Sequence, residues 1–220
     1  MKIEEVYFID KNKAPQPRTI VENRTFDHNG YRITHFSMGA NTAGSPERYR
    51  HLGIYSCNIG CVHLEVHHSN APTETITLHK GEFWLRPCNT LLGWYVEEDT
   101  IFTVINLRFT ANLIQDAKIG DVCTVNHIPD APMNECIVKR VVDDELMKID
   151  FVQLGKNGRY EIPEERNIIF AVEKGSCSIQ YRDKQLKIED NQSFHSFHST
   201  KKVITSETGC NVIMLTVFEL

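Results

Sequence analysis

The sequence predicts an all-β protein: two tandem antiparallel barrels of the jelly-roll kind, joined by a short helical linker. Three observations carry this reading. Apolar and polar residues alternate with a period of two in run after run, turn residues separate the runs, and the chain repeats itself. Short strands with little helix are what closed antiparallel folds require.

The repeat appears in three blocks of the same order. NRTFDHNGYRITHFSMGANTAG (23–44) lies over KRVVDDELMKIDFVQLGKNGRY (139–160) at an offset of 116, matching Arg24 to Arg140, Asp27 to Asp143 and Gly39 to Gly155. IYSCNIGCVHLEV (54–66) lies over IFAVEKGSCSIQY (169–181) at 115, with Gly60 on Gly175. IFTVINLRF (101–109) lies over CNVIMLTVF (210–218) at 109. The offset falls because HHSNAPTET, between two strands of the first copy, shrinks to RDK in the second. The domain division expected is 1–112 for a first barrel, 113–135 for a linker and 136–220 for a second barrel.

Taken along the chain, YRITHFSM, CVHLEV, TITL and FTVINLRF each alternate as half-buried strands do. Gly60 falls between two of them, at a turn where a positive φ suits glycine. A helix is expected only around ANLIQDAKI (111–119), before the irregular stretch PDAP (129–132). DFVQL, CSIQYR and VIMLTVF repeat the strand pattern in the second copy, with Gly175 at the equivalent turn.

Composition narrows the function classes. The 220 residues are 41% hydrophobic and 24% charged, and the net charge is -5. No Lys/Arg block exceeds a pair such as Lys201-Lys202, which argues against a grip on nucleic acid. No apolar run approaches the ~20 residues of a membrane span, so no membrane partner is expected. MKIEEVYFIDKNK has acidic residues where a signal peptide places its apolar core, which points to the cytoplasm. Seven cysteines with no CxxC pair read as reduced, buried thiols.

CVHLEVHH (61–68) raises the question of a metal site, because His63, Glu65 and His67 project from one face of a strand. Val62, Leu64 and Val66 alternate with them, the pattern of a strand with one buried and one wet face. The expectation is a solvent or interface face, able to take up nickel or zinc adventitiously.

Each half resembles a cupin, and the whole resembles a bicupin. Gly60 and Gly175 match the closing glycine of the first cupin motif. LHKGEFWLRP (78–87) matches the second motif, with Gly81-Glu82 as its turn and Pro87 as its proline, and IEDNQSFHSF (188–197) matches it weakly. The first half also resembles the ligand-binding half of arabinose-regulator-type transcription factors, in RHLGIYSCNIG, LHKGEFWLRPCNTLLGWY and FTVINLRF. That family ends in a helix-turn-helix pair, whereas this chain ends in a second strand-rich half.

The cupin resemblance implies where metal ligands belong: Glu47, Tyr49 and Gly53 in the first copy, with Leu91 or Leu92 for the second-motif histidine. The second copy offers Ile162, Glu164, Ile168 and Lys201. Neither is a metal set, so no metal and no cofactor are expected. The ligand candidates are Glu47, Tyr49, His51, Trp84, Arg86 and Trp94, with His195 and His198 in the second half. Such a mixture suits a sugar, polyol or small carboxylate, although Trp84 and Trp94 could equally fill a core and Glu47 be a loop charge.

Two function classes stay open. The first is a non-metal bicupin that binds a small polar ligand in a sensing or regulatory role, alone or as a homodimer. The second is a cupin enzyme, either an isomerase or epimerase using acid–base chemistry or a metal-dependent cupin with atypical ligands.

Overall fold

The alternation of the sequence is realised as strands almost throughout. The computed structural model describes residues 5–8, 18–27, 31–107, 120, 122–124, 130–143, 147–162, 167–181, 183–190, 192–196 and 201–217, and none of these is helical. The helix expected over 111–119 lies outside the described residues. The chain divides into two compact units, Asp10–Thr124 and Val125–Leu220, the latter joined by Met1–Ile9.

The Asp10–Thr124 unit holds β2 (Ile20–Asp27), β3 (Tyr31–Met38), β4 (Thr42–Tyr49), β5 (Leu52–Ile59), β6 (Cys61–His67), β7 (Glu74–His79), β8 (Glu82–Arg86), β9 (Thr90–Val96), β10 (Thr100–Leu107) and β11 (Val122–Thr124). They form a six-stranded sheet in the order β11-β8-β5-β10-β3-β2 and a four-stranded sheet in the order β4-β9-β6-β7. Every pairing is antiparallel. One core joins the sheets: Met38, Tyr55, Trp84 and Phe102 from the larger, Val62, Leu64, Leu92 and Val96 from the smaller. Burying a side chain such as Leu64 contributes about 1.5–3 kcal/mol. LGIYSCNI of β5 is buried along nearly its whole length, as a strand covered on both faces is.

The second unit holds β1 (Glu5–Phe8), β12 (Cys136–Asp143), β13 (Met147–Leu154), β14 (Gly158–Ile162), β15 (Asn167–Tyr181), β16 (Lys184–Glu189), β17 (Gln192–Ser196), β18 (Lys202–Ser206) and β19 (Cys210–Val217). Its order β1-β17-β15-β19-β13-β12, with β14-β18-β15-β16 branching from β15, is the order of the first unit strand for strand. Thus β1 flanks β17 as β11 flanks β8.

The irregularities repeat too. Bulges skip residues 25 and 141 on β2 and β12, and Asn58 and Glu173 on β5 and β15. These registers correct one detail of the sequence alignment. Asn106 pairs with Arg32 as Thr216 pairs with Lys148, so the last block aligns at an offset of 110 rather than 109. The slip is one residue, and in a strand one residue exchanges the two faces.

Gly60 and Gly175 stand where the chain passes from one sheet to the other, at φ +75 and +87. A Cβ at Gly60 would lie 2.6 Å from the Asp99 carbonyl oxygen, and one at Gly175 2.5 Å from that of Gly209. Close backbone approach and positive φ both demand glycine here.

Candidate ligand site

The inner wall of the Asp10–Thr124 unit carries a polar cluster on three adjacent strands. Gly53 on β5 pairs with Arg86 on β8 and with Asn106 on β10, so the three share one face. Across the core, Glu47 pairs with Leu92 and Tyr49 with Thr90, which places both on the inward face of β4.

Arg86 is the centre of this cluster and is fully buried. Its Nη1 donates to the Tyr49 carbonyl oxygen at 3.1 Å and to that of Pro87 at 3.4 Å. Its Nη2 donates to Asn106 Oδ1 at 3.1 Å. The guanidinium carbon lies 4.8 Å from the centroid of the Tyr49 ring and 5.5 Å from that of Tyr55, within cation–π range. Five N–H donors are available on a guanidinium, and Nε makes no hydrogen bond among the described residues. No carboxylate among the described residues pairs with Arg86.

The phenols beside it are held protonated. Burial pushes Tyr49 above the ordinary tyrosine range, and the nearby Glu47 carboxylate raises it further, against the opposing pull of Arg86. Burial raises Tyr55 more strongly, again with Arg86 opposing. Glu47 itself is exposed.

A cavity of about 300 Å³ opens in the same unit, lined by Val66, His67, Glu74, Trp84, Cys88, Asn89, Thr90 and Leu91 among others. The Trp84 indole N–H is used by the Gly120 carbonyl at 2.9 Å. The Pro87 carbonyl, which accepts from Arg86, also accepts from the Thr90 hydroxyl at 2.6 Å and so links the cluster to the cavity wall. Burial raises the Cys88 thiol, leaving it a poor nucleophile.

The other candidates fall as follows. Trp94 lies on the inward face, paired with Gly44 and Leu64, and its indole fills the space over Gly44 that a side chain would need. His51 sits half-buried in the bend between β4 and β5. His195 is buried, in register with Glu5 and Ile169, on the strand face opposite the core residue Phe194. It therefore does not share the core-facing side of β17. His198 lies outside the described residues.

His63, Glu65 and His67 lie on the face of β6 opposite Val62, Leu64 and Val66. His63 stacks on Tyr95 at 4.5 Å and its Nδ1 is 2.9 Å from the Thr77 hydroxyl. His67 Nδ1 is 3.1 Å from the Thr73 hydroxyl. Among the described residues no group of three His, Cys, Asp or Glu is placed to hold a metal ion. Threonine hydroxyls engage one ring nitrogen of each histidine, and among the described residues no third ligand converges with them.

The positions that the cupin resemblance assigns to a metal do not fit one either. Gly53 has no side chain, Leu92 is buried hydrocarbon, and a guanidinium lies over Gly53. A divalent cation needs three or four converging N or O ligands, and Glu47 with a protonated Tyr49 does not supply them.

Sequence reasoning passed over Tyr55 and Asn106. Strand parity was the available signal for Tyr55, two residues from Gly53, whereas Asn106 joins the group only through its pairing with Gly53.

No protein-family model and no curated protein matches the chain by sequence. Solved structures do match by fold. A cupin 2 conserved barrel domain protein from Leptotrichia buccalis superposes with a TM-score of 0.76 at 10% identity, covering 99% of this chain and 98% of that one. A variant of salicylate 1,2-dioxygenase from Pseudoaminobacter salicylatoxidans gives 0.70 at 12%, covering 98% and 84%. The oxalate decarboxylase–formate complex from Lactobacillus farciminis gives 0.69 at 6%, covering 100% and 87%. The fold is the cupin fold.

Proposed function

We propose that the protein is a bicupin whose Asp10–Thr124 unit binds a small polar ligand, a sugar, polyol or small carboxylate, without a metal. One observation carries this reading. At register-equivalent positions the first unit has Gly53, Arg86 and Asn106, where the second has Ile168, Ser196 and Thr216. Isoleucine in place of glycine fills the space, and serine in place of arginine removes the cation. The second unit does bury a lysine, Lys202, in register with Ile162 where Leu92 meets Glu47 in the first. The recognition apparatus has thus been built differently in the two copies.

The resemblance of the first unit to the ligand-binding half of arabinose regulators supports a sensing or regulatory role, by a monomer or homodimer, while the net charge of -5 with no Lys/Arg block longer than a pair favours a partner other than nucleic acid. Among the described residues no helix is long and apolar enough to cross a membrane. The competing reading is an acid–base enzyme, for which Tyr49, held protonated beside Arg86, is the strongest residue.

A thermal-shift screen of the whole chain tests the reading. Sugars, polyols and small carboxylates should be included, with oxalate, formate, salicylate and gentisate among them. A true ligand at 100 times its Kd stabilises by about 2.7 kcal/mol, and the shift should vanish in Arg86→Met. A screen with no concentration-dependent shift from any class would sink it.

A further inference from the structure

We infer that the ligand is anchored through a carboxylate, which supplies the countercharge that Arg86 does not find among the described residues; this rests on the reading that the Asp10–Thr124 unit binds a small polar ligand. A fully buried guanidinium with no carboxylate partner among the described residues is costly. Its acceptors are two main-chain carbonyls and one amide oxygen, all neutral. Nε remains without a hydrogen-bond partner among the described residues.

The groups around it are donors. Arginine carries no acceptor, so Asn106 must turn Oδ1 to Arg86, which leaves both hydrogens of Nδ2 for another group. The Tyr55 hydroxyl is protonated and can donate, whereas the Tyr49 hydroxyl is engaged by the Glu47 carboxylate. Sugars and polyols need acceptors as well as donors, and the carboxylate acceptor beside Tyr49 is Glu47, which stands at the exposed rim. An array of N–H and O–H donors around a desolvated cation matches a planar monoanion. The same Glu47 charge disfavours a dianion such as phosphate.

The chemistry also accounts for the missing metal set. A fixed guanidinium over Gly53 is a resident cation in the region that the family resemblance assigns to metal ligands. It needs no ligand set of its own.

The test is isothermal titration of the whole chain with formate, acetate and salicylate against formamide, acetamide and salicylamide, with inorganic phosphate and arabinose alongside. At least one carboxylate should bind tenfold or more tightly than its amide, and Arg86→Met should weaken it at least thirtyfold. Should Arg86→Met fail to fold, Asn106→Asp provides the second variant, because it places a resident carboxylate against Nη2. It should keep the fold, melt no lower than wild type and lose carboxylate binding. Ser196→Ala, the register equivalent in the other unit, should bind as wild type.

An amide that binds as well as its acid overturns the inference, as does Asn106→Asp with undiminished carboxylate binding or phosphate as the sole ligand. Arabinose binding that depends on Arg86, without any carboxylate binding, overturns the inference and leaves the small-ligand reading standing. If no probe binds and the wider screen is also silent, both fall.

Discussion

Gly53 and Arg86 stand opposite each other on β5 and β8, and the guanidinium takes the space that a side chain at 53 would need. A Cβ there would lie 2.8 Å from Nη2 and 2.9 Å from Nε. Arg86 is tied to strands of both sheets, through Tyr49 on β4 and Asn106 on β10. It cannot swing aside without giving up those bonds. Gly53→Ala should therefore destabilise by about 1–3 kcal/mol, the usual range for overpacking, read from urea unfolding midpoints at unchanged m-value. A midpoint equal to wild type would mean that Arg86 relocates freely.

Glu47 separates the candidate ligands. Because it is exposed, Glu47→Ala should change stability by no more than about 0.5 kcal/mol. A carboxylate ligand should bind up to about fivefold more tightly, since a partly screened like charge worth roughly 1 kcal/mol is removed. A sugar should bind more weakly for loss of an acceptor. Titration of the variant with both ligand classes checks the sign.

His35 gives the fold an acid sensitivity. Its Nδ1 is 2.7 Å from the Thr103 hydroxyl, and that hydroxyl donates to Asn58 Oδ1 at 2.7 Å, so Nδ1 carries the proton and donates. Nε2 is buried without a hydrogen-bond partner among the described residues, and burial pushes the imidazole down to about 4 from 6.5. With the folded value below the unfolded one, the unfolded chain binds more protons between them. The stability is thus complete above pH 6.5 and lost as pH falls through about 4. The whole contribution is roughly 3 kcal/mol. His35→Gln should flatten the stability–pH curve in that window, followed by chemical denaturation at fixed pH steps.

Gly60→Val should damage the fold whatever the function. It forces a β-branched residue to φ +75 and drives a Cβ to within 2.6 Å of the Asp99 carbonyl. Strain of this kind costs on the order of 1–3 kcal/mol before the clash is counted. Gly175→Val should behave alike in the other unit. Calorimetric melting of each variant provides the check, and an unchanged Tm for either would show that the turn can be rebuilt.

Elemental analysis of untagged protein, purified without nickel resin or chelators, should find transition metals far below one per chain. Added EDTA should leave the Tm unchanged. Stoichiometric metal would mean that side chains other than Glu47, Tyr49, Gly53 and Leu92 converge on it, and would favour the enzyme reading.

By itself the sequence determined the β character, the repeat and the two crossing glycines, because alternation and glycine punctuation are local properties of the chain. It also pointed to Glu47, Tyr49, His51, Trp84, Arg86 and Trp94 as one group, from the chemistry of their side chains. Only the tertiary structure decided how they are used. That Arg86 lies over Gly53 rather than facing solvent depends on which strand is laid beside β5, and no local pattern records a neighbour in space. That Asn106 belongs to the group follows from its pairing with Gly53 on the neighbouring strand. The histidines of CVHLEVHH looked like ligands because their spacing is visible in the chain. The Thr73, Thr77 and Tyr95 partners that engage them come from elsewhere in the fold. Side-chain identity sets what a residue can do, and strand pairing sets what it meets.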